Sequence, residues 1–356
     1  MTKGFTEGSK YLEKLIADHK IPGCEFALVT KDHVESMMMG NRQSEPVQLP
    51  VESNTLYDLA SLTKVVVTST LSLQLLEEEK ISLETSLSKI LEDFPYSNIT
   101  LGMLLCHASG LPEDNKDYKQ CKNKEELYTF IKKLPLESKP GTKYAYSDFG
   151  YILLGMAIEK ITGESLDRLA HEKIFVPLHM NNTLYKPKQS SNDKYNYAAT
   201  EIESDRGLIN GIVHDGKAFR MNGISGNAGL FSNIEDVSIF TQMFLNNGCS
   251  KDGIKVLDQS SISLLKEWRY PNLDVKRTVG WFADEPVQAS FGDYYSKHCL
   301  YHTGFTGTSI YIDFDRKMGI VLLTNSIHPT RERHSMKEAR SVLHNIVLSS
   351  FDQELS

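Results

Sequence analysis

Apolar and polar positions alternate along this chain in two rhythms, and the rhythm changes with distance from the start. Leu12, Leu15 and Ile16 recur on one helix face, and Ile21-Pro22-Gly23 stops that run. Two β-like runs follow, from Cys24 to Thr30 and from His33 to Met39; Lys31-Asp32 forms the turn, so a hairpin is expected beside the helix. The mostly apolar, proline-free segment from Ser61 to Leu76 has the length of a buried helix and ends in Glu77-Glu78-Glu79-Lys80. Three helical patterns occupy the middle of the chain. Thr100 to His107 precedes Ser109-Gly110-Leu111-Pro112, Lys124 to Leu134 precedes Pro135, and Tyr151 to Ile161 precedes Thr162-Gly163.

From Lys186 to Asp215 the composition turns polar, most strongly at Ser190-Ser191-Asn192-Asp193, and a surface excursion of that length is functional or mobile. Helical periodicity returns from Ile234 to Leu245 and from Gln259 to Trp268. The last third then shows strand-length runs at His298 to Thr303, Thr308 to Asp313 and Met318 to Asn325. Gly304-Phe305-Thr306-Gly307 and Asp315-Arg316-Lys317 separate them, which is the pattern of an antiparallel meander. An amphipathic helix from Met336 to Val347 closes the pattern.

Strands at both ends with helices between imply an α/β fold of the α+β type: one antiparallel sheet flanked by helices and built from both chain ends. The expected organisation is a single domain over 1–356. An α/β lobe from about 1–56 plus 234–356 would face a mainly helical lobe from about 57–233, with a cleft between them as the natural site.

Composition narrows the function. Lys and Arg total 39 against 46 for Asp and Glu, a net charge of −7, which argues against nucleic acid as a partner. No apolar run reaches the roughly 20 residues of a membrane-spanning helix. Met1 to Phe5 lacks the order of a secretory signal, so the chain as given reads as cytoplasmic, or as exported if a leader has been removed. The five cysteines are scattered, without C-x-x-C pairs, and read as reduced, packed thiols.

Ser61-Leu62-Thr63-Lys64 puts a hydroxyl and an amine on one helix face, with the serine at the helix start, where backbone N–H groups favour developing negative charge. The same spacing recurs at Ser86/Lys89, Ser191/Lys194 and Ser263/Lys266, so spacing alone decides nothing. Context sets the first pair apart. Val65-Val66-Val67 draws Lys64 into an apolar helix, where an unpartnered charge would cost several kcal/mol.

With Ala60-Ser61-Leu62-Thr63-Lys64, Tyr144-Ala145-Tyr146-Ser147-Asp148 and His302-Thr303-Gly304, the chain resembles the serine β-lactamases and penicillin-binding proteins. The likeness is to the class C β-lactamase-like branch, which includes esterases and D-amino-acid peptidases. Leu104 to Pro112, Gly229-Leu230-Phe231-Ser232 and Leu322-Leu323-Thr324-Asn325 are similar too, so the likeness runs from about Ile21 to about Arg331. The resemblance implies Ser61 as acyl-forming nucleophile, Lys64 as its charged or proton-accepting neighbour, and Tyr146 as general base or proton shuttle. It also implies an oxyanion hole from the Ser61 and Phe305 backbone N–H groups, and no cofactor. Moving a tyrosine from about 10 to about 7 takes about 4 kcal/mol, a magnitude one ammonium at about 4 Å supplies in an effective dielectric of about 20.

Two positions depart from the family pattern. His302 stands where lysine is frequent, which predicts weaker, pH-dependent recognition of a substrate carboxylate, with Arg331 or Arg333 able to compensate. Asp148 replaces a usual asparagine; it removes an N–H donor, adds a charge that holds Lys64 protonated, and disfavours anionic substrates. Thr303, Gly304 and the Gly-flanked Asn227 complete the expected substrate contacts, and Trp281, Phe282 and Tyr301 are candidate pocket walls. Despite 11 histidines, His107 and His214-Asp215 among them, no metal-ligand spacing appears, so no metal is expected. The reading is a serine hydrolase acting through an acyl-enzyme on an ester, a D-amino-acid peptide or a β-lactam, with a small-molecule or peptide as partner. The alternative is a weakly or non-catalytic penicillin-binding-type ligand-binding module.

Overall fold

Strand β1 (Gly23–Thr30) is apolar on both faces, and both are covered. Cys24, Phe26 and Leu28 pack with Tyr311, Ile320 and Leu322 beneath Leu12, Leu343 and Val347 of the terminal helices, whereas Ala27 and Val29 join Ile310, Ile312, Val321 and Leu323 against the helical part of the chain. A strand buried this way reads as a continuous apolar run rather than as an alternating one. The computed structural model describes residues 1–190, 194–283, 292–332 and 336–355; Ser191 and Arg333 lie outside the described residues.

The sheet has seven strands. Besides β1 it contains β2 (Val34–Gln43), β3 (Leu49–Pro50), β4 (Phe282–Ala283), β5 (Cys299–Thr303), β6 (Ser309–Asp313) and β7 (Met318–Thr324), in the spatial order β4-β5-β6-β7-β1-β2-β3. The first and last strands are thus direct antiparallel neighbours, with Cys24 opposite Thr324 and Thr30 opposite Met318. Helices α1 (Lys3–Ala17) and α5 (Met336–Leu355) cover one face; α2 (Thr70–Glu77), α3 (Asp148–Thr162) and α4 (Ile234–Leu245) lie on the other side. This is the expected α/β architecture, an antiparallel sheet built from both chain ends.

Two local features differ from the sequence expectation. The helix expected from Ser61 opens with a π-helical stretch, Lys64–Ser69, before α2. The β-branched run Val65-Val66-Val67 crowds a tighter turn, and the Thr70 hydroxyl donates to the Val65 carbonyl at 2.9 Å. The polar excursion carries short strands: Asn196–Tyr197 pairs in parallel with Thr55–Asp58, and Ile202–Glu203 pairs with Gly207–Leu208. Thr55–Asp58 also pairs with Leu230–Ser232, so a second small sheet stands inside the segment expected to be mainly helical. No helix among the described residues is long and apolar enough to cross a membrane.

One buried charge ties the sheet to α4. Glu25 of β1 is buried and accepts the Ile234 N–H at 2.9 Å, at the start of that helix. Burial dominates and raises its carboxyl from 4.5 to about 8, the Ile234 N–H opposing and Glu235 reinforcing. The folded state therefore binds a proton that the unfolded chain has lost, and stability falls as pH rises from about 4.5 to about 8. Glu25→Gln, which keeps an acceptor for Ile234, is expected to flatten that slope in denaturant melts recorded across the same range.

Candidate active site

Ser61 begins its helix because the chain before it is forced into an unusual turn. Ala60 adopts a left-handed backbone (φ 47°), a conformation that costs a residue with a side chain about 1 kcal/mol. Asp58 holds it there, accepting the Ala60 N–H at 2.8 Å. The meander closes on the same turn. Thr306 Oγ1 donates to the Asp58 carbonyl at 2.7 Å, and Thr308 Oγ1 to the Leu59 carbonyl at 3.2 Å. Between them Gly304 lies so close that a Cβ would sit 2.5 Å from the Leu59 oxygen, which excludes any side chain there. These bonds bring the Phe305 backbone to the start of the Ser61 helix, although 243 residues of chain lie between Ser61 and Phe305.

Lys64 is the centre of the site. Its side chain is 0% exposed, and its Nζ donates to Ser61 Oγ at 2.9 Å, to Asp148 Oδ1 at 2.8 Å and to the Asn227 carbonyl at 3.0 Å. The same amine stands 5.1 Å from the centroid of the Tyr146 ring. All three N–H groups are thereby used, which removes the penalty of an unsatisfied buried ammonium. Burial opposes the charged form, but the Asp148 carboxylate, then Tyr146, outweigh it and push Lys64 upward. It stays an ammonium.

Asp148, at the first turn of α3, is shared between two lysines. Its second oxygen accepts from Lys217 Nζ at 3.2 Å. Burial would raise its carboxyl; the Lys64 ammonium, then that of Lys217, reverse this and hold it down to about 2. The Asp148 charge expected to repel anionic substrates is therefore offset locally: the carboxylate is 19% exposed and faces two ammonium groups, one of them shared with Asp114. Lys217, 7% exposed, was not legible from its sequence neighbourhood.

Tyr146 is braced by His107. The two rings stack at 4.2 Å, and His107 Nδ1 accepts the Ser147 N–H at 3.0 Å, which fixes both the ring and the tyrosine backbone. Burial, then the Arg277 guanidinium and Lys64, push His107 well below its ordinary value, so the brace is neutral.

Three further expectations change. His302 of β5 is not a cleft cation: it is buried, its ring lies 5.9 Å from that of Phe282 and 6.2 Å from that of Tyr146, and Nδ1 bonds the Thr303 carbonyl at 3.1 Å. Burial first, then Arg277 and Lys64, push it well below its ordinary value. The Asn227 side chain is engaged too, with Nδ2 on Asp215 at 3.0 Å and Oδ1 accepting from Ser225 at 2.7 Å, so it reaches the site through its backbone carbonyl. Trp281 and Tyr301 are core residues.

Ser61, Tyr146, Asp148, Asn227, Thr303 and Phe305 line one cleft of about 790 Å³. The excursion supplies another wall, from Glu201 to Arg206 and from His214 to Lys217. Ligand atoms of Glu201, Glu203 and His214 lie within 4.8 Å of one another, but guanidinium groups already occupy the carboxylates: Arg331 on Glu201 and Glu203, Arg206 on Glu203. The donor set fits an ion-pair network better than a metal ion. Arg331, expected to be available for a substrate carboxylate, is committed to these glutamates.

The Ser61 hydroxyl, the buried Lys64 ammonium and the Tyr146 ring thus meet at one end of this cleft. The β-lactamase family profile matches residues 9–344. The chain belongs to the β-lactamase family. It is a hydrolase of the serine β-lactamase type. It is 33% identical over 312 residues to an N-acetylmuramyl-L-alanine amidase of Bacillus subtilis (strain 168), covering 78% of this chain and 69% of that one. It is 34% identical over 325 residues to a protein of Escherichia coli O157:H7 named for D-alanyl-D-alanine carboxypeptidase activity, covering 80% and 72%. A class C β-lactamase structure superposes with a TM-score of 0.77 at 20% identity, covering 98% of this chain and 96% of that one; it shares the fold.

Replacing Asp148 by asparagine restores the usual family residue but leaves Lys64 without its carboxylate and Lys217 with Asp114 alone. Asp148→Asn is expected to destabilise the protein by about 3 kcal/mol, the low end for breaking a buried ion pair because asparagine keeps an acceptor. Urea melts at pH 7 measure the loss.

Proposed function

We propose that this protein is a serine amidase-type hydrolase that forms an acyl-enzyme on Ser61 and cleaves an amide bond beside an alanine residue in a polar, cell-wall-type peptide. The observation that carries the reading is the fully buried Lys64 ammonium 2.9 Å from Ser61 Oγ, because it holds the hydroxyl in place and supplies the positive field that a tyrosinate needs. With Lys64 held charged, the proton acceptor falls to Tyr146.

In acylation Ser61 Oγ attacks the carbonyl carbon while its proton passes to the Tyr146 oxygen. The oxyanion forms between the Ser61 and Phe305 N–H groups. The C–N bond then breaks, and the leaving nitrogen takes the proton from Tyr146. Thr303, at the end of β5, lines the cleft beside this hole. Water then cleaves the acyl-enzyme and releases the acid.

Two features favour an amide in a polar substrate over an apolar ester. The cleft lining carries Glu113, Asp114, Lys116, Arg206 and Lys217, which suits a charged peptide more than a hydrocarbon chain. The relatives above bear the names of an N-acetylmuramyl-L-alanine amidase and a D-alanyl-D-alanine carboxypeptidase, and alanine figures in both names.

Intact-mass spectrometry after incubation with p-nitrophenyl acetate and a chromogenic cephalosporin is expected to show a Ser61 adduct, absent from Ser61→Ala. Tyr146→Phe should lower turnover by about 10²–10⁴-fold, the range for a general base. Turnover unchanged in Ser61→Ala would remove the nucleophile; a stable adduct without turnover would make the protein a binding module.

Because His302 is neutral, kcat/KM for an anionic and for a neutral substrate should change in parallel between about pH 6 and about pH 8. Rates that diverge over that interval would restore a titrating cation to this position.

A further inference from the structure

The acylation machinery occupies the Lys64 and Tyr146 side of the cleft and leaves a second ionisable pair unused. His214 Nε2 lies 2.9 Å from Glu201 Oε2, and the two side chains are 7% and 8% exposed. Arg331 Nη2 also lies 3.2 Å from Nε2, but its two hydrogens go to Glu201 and Glu203, so the shorter Glu201 contact, with a carboxylate that only accepts, puts the hydrogen on Nε2 and leaves Nδ1 its lone pair. Burial would raise the Glu201 carboxyl, but the hydrogen bonds from His214 and Arg331 hold it down to about 2.

The imidazole is fixed from every side. Its backbone N–H donates to Asp58 Oδ2 at 2.7 Å, and the other oxygen of Asp58 holds the Ala60 turn that presents Ser61. Its ring stacks on that of Phe305, centroids 5.6 Å apart and planes 15° apart. Arg206 donates to the His214 carbonyl at 2.7 Å and to Glu203 at 2.7 Å. Arg331 donates to Glu201 at 2.8 Å and to Glu203 at 3.1 Å. The charged groups around the ring are therefore Glu201, Glu203, Arg206, Arg331 and Asp58, with Asp215 next in the chain.

Glu201, Arg331, Glu203 and Arg206 form a continuous chain of ion pairs in which the imidazole is not a link. Anchoring this wall does not need an imidazole, whereas a carboxylate on one ring nitrogen is the arrangement that orients a base. His214 lines the same cleft as Ser61 and sits against Phe305, whose N–H belongs to the proposed oxyanion hole.

We propose that His214, oriented by Glu201, is the base that activates the water opening the acyl-enzyme, an assignment that rests on the Ser61 reading above. The water oxygen bonds to the acyl carbon as one of its protons passes to Nδ1. Glu201 balances the imidazolium. The C–Oγ bond then breaks, Oγ takes a proton from the Lys64 ammonium, and the carboxylic acid product returns one to Lys64. The imidazolium releases its proton to the cleft water. Acylation and deacylation thus use bases on different walls.

The test uses p-nitrophenyl acetate with the full chain, because an activated ester acylates fast and leaves deacylation rate-limiting. In His214→Gln, which keeps an N–H for Glu201, we expect the initial burst to persist, acetyl-Ser61 to accumulate by intact mass, and the steady-state rate to fall about a hundredfold. Added imidazole should restore the steady-state rate of His214→Ala. A His214→Gln rate equal to wild type overturns the proposal. Loss of the burst together with turnover, in a variant that melts like wild type, overturns it too, since the ring would then act before the acyl-enzyme. Failure of imidazole to rescue a folded His214→Ala has the same consequence. If the wild type forms no adduct, or Ser61→Ala turns over normally, the Ser61 reading falls first, and this proposal with it.

Discussion

A single ammonium, sealed from water, organises this protein. Lys64 has three protons to place, and three separate stretches of chain take them: the Ser61 hydroxyl in its own helix, Asp148 at the start of α3, and the Asn227 carbonyl after the excursion. Loss of Asp148 would leave a desolvated charge unpaired, a penalty of several kcal/mol and a large share of a domain's net stability, whereas loss of either neutral acceptor would leave one buried N–H unsatisfied. The demand that makes the site chemically capable is therefore also the demand that fixes how the helical part of the chain is arranged. The π-helical opening of the Lys64 segment and the left-handed Ala60 are local costs tolerated for that arrangement.

The sheet was largely legible in the amino-acid order, because its strands are marked by apolar runs with turn residues between them. Cys24 to Thr30 and Met318 to Asn325 are apolar on both faces, and a strand buried on both faces is hard to mistake for a surface element. The three motifs were legible for a different reason. Ser61, Lys64 and Tyr146 sit in short stretches with a distinctive composition, and the chain folds so that these stretches meet.

What stayed hidden depends on partners far apart in the sequence. Lys217 is an ordinary lysine in a short helix until Asp148 and Asp114 are found beside it. His302 looked like a titrating group because its neighbours in sequence say nothing about the Arg277 guanidinium and the aromatic rings that surround it. The pairing of Glu201 with His214 crosses a polar excursion whose composition suggests only exposure, and nothing in that composition signals that it folds back as a cleft wall. Charge state is set by three-dimensional neighbours, so pattern reading locates side chains better than it assigns their protons.

The direct pairing of β1 with β7 carries a consequence for how the molecule is made. On a ribosome β1 must wait, one edge unsatisfied, until residues 318–324 have emerged nearly three hundred residues later. The Phe305 loop, which closes onto the turn ahead of Ser61, arrives in the same late interval. A partly synthesised chain therefore carries Ser61 without the Phe305 backbone opposite it, and the two meet only with completion of the sheet.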